Sequence, residues 1–418
     1  MQLLFLHQNM PRQFRHLAAH LAAAGHRVVF VTKRGDRTLP GVERIVYPAP
    51  RAANPQTHHY LHQFEDAVLH GQAVARACLA LKDSGFVPDL IVAHPGWGEG
   101  LFIPDVWPGA PVLNYGEFYY RPFGADVNFG DEFPADIDEI CRLRARSAHL
   151  LLALEAARHT VCPTEWQKSL HPAVFCDRMS VIFDGVDTDT VAPDPAARLS
   201  LPTGGVLTPD DEVVTYVSRT LEPHRGFHTF LRALPRLCEL RPNAHIVIVG
   251  GDGPGYGRPP TGDKSWRQLL LRQVEIDPGR VHFLGIVPYE RYLSVLHVSS
   301  VHVYLTVPFV QSWSAVEALA AGCLVVGSRT APVEEFIEHG VNGLLADFFS
   351  AGELADTVAS ALADRASLAP LCRKARERVV QDYSLRVCLP RQVALVAALA
   401  DGAACPRRIS QPVQKAVA

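Results

Sequence analysis

No apolar run in this chain approaches the roughly 18 residues that a membrane-spanning helix needs. Its first stretch, MQLLFLHQNMPRQF, has no basic segment ahead of its short apolar core, Leu3 to Leu6. The expectation is therefore no transmembrane segment, and a first strand in place of a secretion signal. Charge of one sign is also missing. With 40 Lys and Arg against 43 Asp and Glu the net charge is −3, which argues against nucleic-acid binding by phosphate neutralisation. The nine cysteines are scattered and form no Cys-x-x-Cys. Cys162 and Cys323 lie inside or beside apolar runs, so they read as small buried hydrophobes in a reducing cytoplasm. No metal site is expected.

What is present is the composition of an ordinary soluble enzyme, 48% hydrophobic and 20% charged, on 418 residues that suggest two or three domains. Short continuous apolar runs recur: Leu3–His7, Arg27–Thr32, Asp89–His94, Pro111–Tyr115, Thr160–Thr164 and Ser180–Asp184. Helical patterns lie between them, such as Phe14–Gly25 and Phe64–Gly85, each closing on a glycine. After a stretch rich in Pro, Gly, Asp and Thr, the alternation restarts with Val213–Ser218, His245–Gly251, Val281–Gly285, Val301–Thr306, Cys323–Ser328 and Gly343–Asp347. Alternation of this kind predicts parallel sheets covered on both faces. The expected domains are 1–192, a linker 193–211, 212–382, a C-terminal helix 383–403 packing back on the first domain, and a disordered tail 404–418.

The most informative motif is SWSAVEALAAG, Ser312 to Gly322. A helix beginning just past a strand end offers unpaired N–H groups and the positive end of its dipole, which suits a phosphate or diphosphate. Glu317 lies one turn in, where a carboxylate can hold a sugar hydroxyl. Ser314-Ala-Val-Glu317 also spells a capping box. Arg219 directly follows a strand and Arg225 stands six residues on. They can clamp a diphosphate, or else are two solvated surface arginines. VGGDGPGYG (Val249–Gly257) is a glycine-rich strand end without GxGxxG spacing. It permits close backbone approach, or is a flexible turn.

In the first half, AHPGWGEG (Ala93–Gly100) ends one strand and carries Trp97; Asn9 follows the first strand. NYGEFYYRPFGAD (Asn114–Asp126) sets Glu117 among Tyr115, Phe118, Tyr119 and Tyr120, as on a sugar-binding surface or in a packed aromatic patch. Arg142, Arg144 and Arg146 read as the charged face of a helix. They also leave room for a peripheral membrane contact or an anionic acceptor.

Taken in order, these motifs resemble the large retaining family four of GT-B glycosyltransferases, from Leu3 to about Ala400. The likeness is carried by Ser218-Arg219, His224-Arg225-Gly226, Gly251-Asp-Gly253, Phe283-Leu-Gly285, Glu317-Ala-Leu-Ala-Ala-Gly322 and Asn342-Gly-Leu-Leu345. The resemblance implies an α/β GT-B fold, two Rossmann-like doubly wound parallel-sheet domains facing across a cleft. It implies an acceptor-side first domain and a donor-binding second domain. It also implies transfer of a sugar from a nucleotide diphosphate sugar, UDP- or GDP-linked, to a hydroxyl acceptor, with no cofactor or metal required. Cytoplasmic placement follows, with room for the inner face of the membrane.

Residue by residue, Arg219 and Arg225 would bind the donor diphosphate. Ser312, Trp313 and Ser314 would offer N–H groups, and Glu317 would hold the ribose. Gly251 and Gly253 would line the donor site, and Gly285 and Ile286 would contact the base through backbone. Asn9, Trp97, Glu117 and Tyr119 belong to the acceptor side. Two departures stand out. Phe309 falls where the family has a first glutamate. Glu117 falls where the family often has a histidine, a role His94 can take from a neighbouring strand. Two other functions use such a fold, a sugar-nucleotide 2-epimerase and a non-catalytic nucleotide-sugar binding protein.

Overall fold

The computed structural model describes residues 1–402 except Thr203, Arg258, Thr261 and Asp263; the expected tail 404–418 lies outside the described residues. The chain forms two compact units. Unit 1 is Met1–Gly185 with the chain from Arg386 onward, and unit 2 is Val186–Leu385.

Unit 1 holds a seven-stranded sheet of β1 (Gln2–Leu6), β2 (Arg27–Thr32), β3 (Val42–Val46), β4 (Leu90–Ala93), β5 (Val112–Tyr115), β6 (His159–Cys162) and β7 (Met179–Val181). The order is β3-β2-β1-β4-β5-β6-β7, and every pairing is parallel. Helices cover both faces, so the inner strands bury nearly every residue, as their unbroken apolar runs predict. Leu4, Leu6, Val29, Val31, Val74, Cys78, Phe86 and Ile91 form one core of this unit. The helices Arg15–Ala23 and His62–Asp83 stop before Gly25 and Gly85, whose φ values of +86° and +88° suit glycine. Sequence reading passed over β3, because VERIV is a half-exposed edge strand with charged residues inside it. The helix Leu385–Ala400 belongs almost wholly to unit 1, where Gln392 Nε2 donates to the Phe183 carbonyl at 3.0 Å.

Unit 2 repeats the design. Its main strands are β10 (Val213–Thr220), β11 (His245–Gly251), β12 (Val281–Gly285), β13 (Val301–Tyr304), β14 (Val325–Ser328) and β15 (Leu344–Ala346). They run parallel in the order β12-β11-β10-β13-β14-β15. The stretch 193–211 is not a bare linker. It carries a two-stranded antiparallel hairpin, β8 (Leu199–Ser200) and β9 (Val206–Leu207). Leu199 and Leu207 bury themselves against Val213, Val247, Val249 and Val295 of unit 2. Two-residue strands carry no period that a sequence can show. Residues 186–192 also belong to unit 2, where the Arg376 guanidinium donates to the Thr188 and Val191 carbonyls.

Both large sheets change strand direction of addition at their own first strand, between β1 and β4 and between β10 and β13. Beyond the carboxyl ends of the strands at such a point a doubly wound sheet leaves a crevice for a ligand. Among the described residues no helix is long and apolar enough to cross a membrane.

Candidate active site

In unit 1 the carboxyl ends of β1, β4 and β5 bring together His7, His94 and Glu117. His7, 1% exposed, accepts the Asn9 N–H on Nδ1 at 2.9 Å. Its Nε2–H is therefore directed to Gln13 Oε1 at 3.0 Å. Gln13 Nε2 in turn donates to Glu117 Oε1 at 2.6 Å. From the other side, His94 Nδ1 accepts the Gly96 N–H at 3.1 Å, which leaves its Nε2–H to face Glu117 Oε2 at 3.3 Å. The result is one chain of hydrogen bonds, His7–Gln13–Glu117–His94.

Burial works to raise the Glu117 carboxyl. The His94 contact, the Gln13 amide and the nearby Arg12 outweigh it and hold Glu117 below the usual carboxylate range. Burial, helped by His94, keeps His7 well below the usual imidazole range. The Trp97 ring stacks on His94 with centroids 4.7 Å apart and is 36% exposed, an aromatic wall beside the carboxylate. Glu117 and His94 are thus partners and not alternatives. Asn9 contributes its backbone N–H. Tyr119 does not join: it is buried against His171, with Arg121 over its ring. Sequence reading missed His7 and Gln13. Both lie in HQNMPRQF, yet only the turn after β1 shows that Gln13 folds back towards Glu117.

In unit 2 the matching strand ends are cationic. Arg219, near the end of β10, is exposed and makes no hydrogen bond or ion pair among the described residues. Arg225 is 9% exposed. Its Nη1 donates to the Val310 carbonyl at 2.9 Å and to Thr306 Oγ1 at 3.1 Å. That anchors one nitrogen and leaves Nε and Nη2, the edge suited to bidentate anion binding, without a partner among the described residues. The Tyr256 ring lies 4.6 Å from the Arg219 guanidinium carbon and 5.4 Å from that of Arg225. Phe309 is buried beside them, its ring 4.7 Å from Tyr256 and 4.6 Å from His224.

Gly251 ends β11, and a side chain there would meet Ile286 at 3.0 Å. Gly285 has φ +67°, Ile286 is 82% exposed, and Gly253 faces open space. These residues share the carboxyl-end edge of the sheet with Arg219.

The helix Trp313–Ala320 corrects two expectations. The capping box does not form, because the helix begins at Trp313 with Ser312 as its cap. Ser312 Oγ accepts the Ser314 N–H at 3.4 Å, so Glu317 lies too far along to fold back on the start. The backbone N–H groups are also not all open. That of Ser312 donates to the Tyr304 hydroxyl at 2.9 Å, and that of Ser314 is held by the cap. Glu317 accepts from the Tyr289 and Tyr292 hydroxyls at 2.8 and 2.7 Å.

Residues 24–191 match the family described as Glycosyl transferase family 4 group, and residues 205–380 match Glycosyl transferases group 1. Glycogen synthase of Mycobacterium tuberculosis is 25% identical over 393 residues, spanning 89% of this chain and 86% of that protein. A GDP-mannose-dependent alpha-(1-6)-phosphatidylinositol monomannoside mannosyltransferase of the same species is 32% identical over 209 residues, 48% of this chain and 50% of that one. Among solved structures, sucrose-phosphate synthase of Thermosynechococcus elongatus gives a TM-score of 0.72 at 19% identity, over 96% of this chain and 100% of that one. Anabaena HepE in complex with UDP-glucose gives 0.68 at 17%, over 95% and 100%. With two parallel α/β units and each half matched by a glycosyltransferase family, the second by group 1, the chain is a glycosyltransferase of the GT-B fold.

Proposed function

We propose that this glycosyltransferase moves a sugar from a nucleoside diphosphate sugar to an acceptor hydroxyl, with retention at the anomeric carbon. The observation that carries the reading is the pair Arg219 and Arg225, whose guanidinium edges have no protein partner among the described residues, beside the glycine-rich end of β11. Guanidinium edges left open at a sheet's carboxyl end attract a diphosphate before reaction. They stabilise it further as its charge grows on departure. The anomeric carbon–oxygen bond to the diphosphate breaks, a bond to the acceptor oxygen forms, and the acceptor proton passes to the departing diphosphate. Charge neutralisation falls to the arginines in this reading.

Glu117 orients the acceptor. An ionised carboxylate has lone pairs beyond the two that Gln13 and His94 occupy, and a hydroxyl can donate to one of them beside the Trp97 ring. Retention is the outcome implied by the family-four likeness. Related proteins named for GDP-mannose, or crystallised with UDP-glucose, share the diphosphate and differ in base, so the diphosphate is the element assigned.

A thermal-shift panel of UDP, GDP and ADP tests the donor site. A nucleotide at one hundred times its dissociation constant stabilises by about 2.7 kcal/mol. No shift with any of the three would overturn the assignment. Proton NMR of the newly formed glycosidic linkage reads retention directly, and an inverted anomer would end that part of the reading.

A further inference from the structure

Glu222 is buried, 2% exposed, two residues past β10. Its side chain meets no cation at ion-pair distance among the described residues, and it spends its charge on backbone. Oε1 and Oε2 accept the Tyr256 N–H at 3.1 and 2.9 Å, and Oε2 also accepts the Gly257 N–H at 3.0 Å. A charged acceptor makes such bonds stronger than neutral ones. The fit is close: a side chain on Gly255 would stand 2.0 Å from Glu222 Oε2. The carboxylate therefore requires glycine at position 255.

The backbone of the same residue acts on the other side. The Glu222 carbonyl accepts the Arg225 N–H at 3.1 Å and the Phe227 N–H at 3.2 Å, which closes the tight turn Pro223–Arg225. One residue thus ties together the turn that carries Arg225 and the loop that carries Tyr256. The Tyr256 ring is what those ties deliver, lying against both the Arg219 and Arg225 guanidiniums. A ring face against a guanidinium is attractive and limits where the guanidinium can point.

We propose that Glu222 is a positioning residue for the donor. It latches the Gly253–Gly257 loop so that Tyr256 holds the Arg219 and Arg225 guanidiniums in register for a single diphosphate. The proposal rests on the donor-site reading above. It assigns the latch to the diphosphate and not to the nucleoside, since everything Glu222 orients converges on the two arginines.

The test is calorimetric binding of UDP, GDP, UMP and GMP to the full chain and to Glu222→Ala, Tyr256→Ala, Tyr256→Phe, Arg219→Ala and the Glu222→Ala/Tyr256→Ala double variant. Glu222→Ala should weaken the diphosphates about tenfold and the monophosphates less than about threefold, as loss of two or three charge-assisted bonds would do. Tyr256→Phe should bind as the parent does, because the ring remains. The double variant should be no weaker than Tyr256→Ala alone, because both changes remove one device. Equal loss on mono- and diphosphates, or additive losses in the double variant, would overturn the latch. If Glu222→Ala fails to fold, the half-exposed Tyr256 decides: parent-like diphosphate binding by Tyr256→Ala overturns it. Arg219→Ala separates the two readings. If it binds diphosphates like the parent, the donor site itself is wrong. If it loses them while Glu222→Ala and Tyr256→Ala do not, the latch alone is wrong.

Discussion

At the carboxyl ends of its first and fourth strands unit 1 gathers His7 and His94 around Glu117, while past the first strand of its main sheet unit 2 gathers Arg219 and Arg225 around the Tyr256 ring. The strand order is the same in both units apart from one added edge strand. The chemistry is opposite. In unit 1 imidazole and amide N–H groups surround a carboxylate, which keeps lone pairs for a further donor. In unit 2 hydroxyl and carbonyl oxygens steady one nitrogen of a guanidinium, whose other edge suits an anion. The fold supplies a place at which backbone ends converge, and the few residues after each strand decide what that place attracts.

The largest break in this contrast comes from removing the cations. Arg219→Ala should lower kcat/KM for the nucleotide-sugar donor by about 2–4 kcal/mol in transition-state terms, with donor held below saturation. Since Arg219 makes no hydrogen bond or ion pair among the described residues and its ring partner Tyr256 is half-exposed, its loss should leave the melting temperature within a degree or two of the parent. Near-parental turnover would remove the cationic half of the comparison. Glu117→Gln acts on the other half. It keeps the shape and removes the charge, and should cost about a hundredfold in turnover while UDP and GDP binding stay within about twofold. A loss of nucleotide affinity in Glu117→Gln would show that the division of labour is drawn in the wrong place.

Much of this was legible in the sequence, for a physical reason. Strands buried on both faces are written as unbroken apolar runs, so twelve of them could be read, and the pattern Phe64–Gly85 falls on the helix His62–Asp83. Arg219 was visible because a charged residue closing an apolar run falls at the strand's end, and Arg225 because it stands six residues on, just before a glycine. What escaped depends on the third dimension. Gln13 reaches Glu117 across 104 positions of sequence, and nothing in either segment announces the other. Nothing in the sequence around Glu222 announces that its carboxylate lies on the Tyr256 and Gly257 N–H groups. Glu317 misled in the opposite way. The motif suggested a cap, but the helix start shifted by two residues and two tyrosines from the neighbouring helix took its carboxylate.

The smallest expected effect tests whether the units also share a weakness. Each buries histidines that the fold keeps from charging. In unit 1 burial holds His171 down to about 4, and in unit 2 burial holds His302 down to about 4. His302 is wholly buried, with Nδ1 2.8 Å from Thr215 Oγ1. A histidine whose folded value is depressed binds its proton more readily in the unfolded chain. Stability is therefore complete above the ordinary value of 6.5 and declines as pH falls towards 4. Glu117, also depressed, adds to the decline only below the ordinary carboxylate value of 4.5. Between pH 7 and pH 5 the histidines dominate, and each fully buried one should cost about 2 kcal/mol. Urea unfolding at both pH values reads this. His302→Gln should be less stable than the parent at pH 7, yet should lose about 2 kcal/mol less on going to pH 5. An unchanged pH dependence would mean that His302 binds its proton alike in the folded and unfolded chain. The acid sensitivity would then belong to unit 1, and the two units would differ in their interiors as they do at their strand ends.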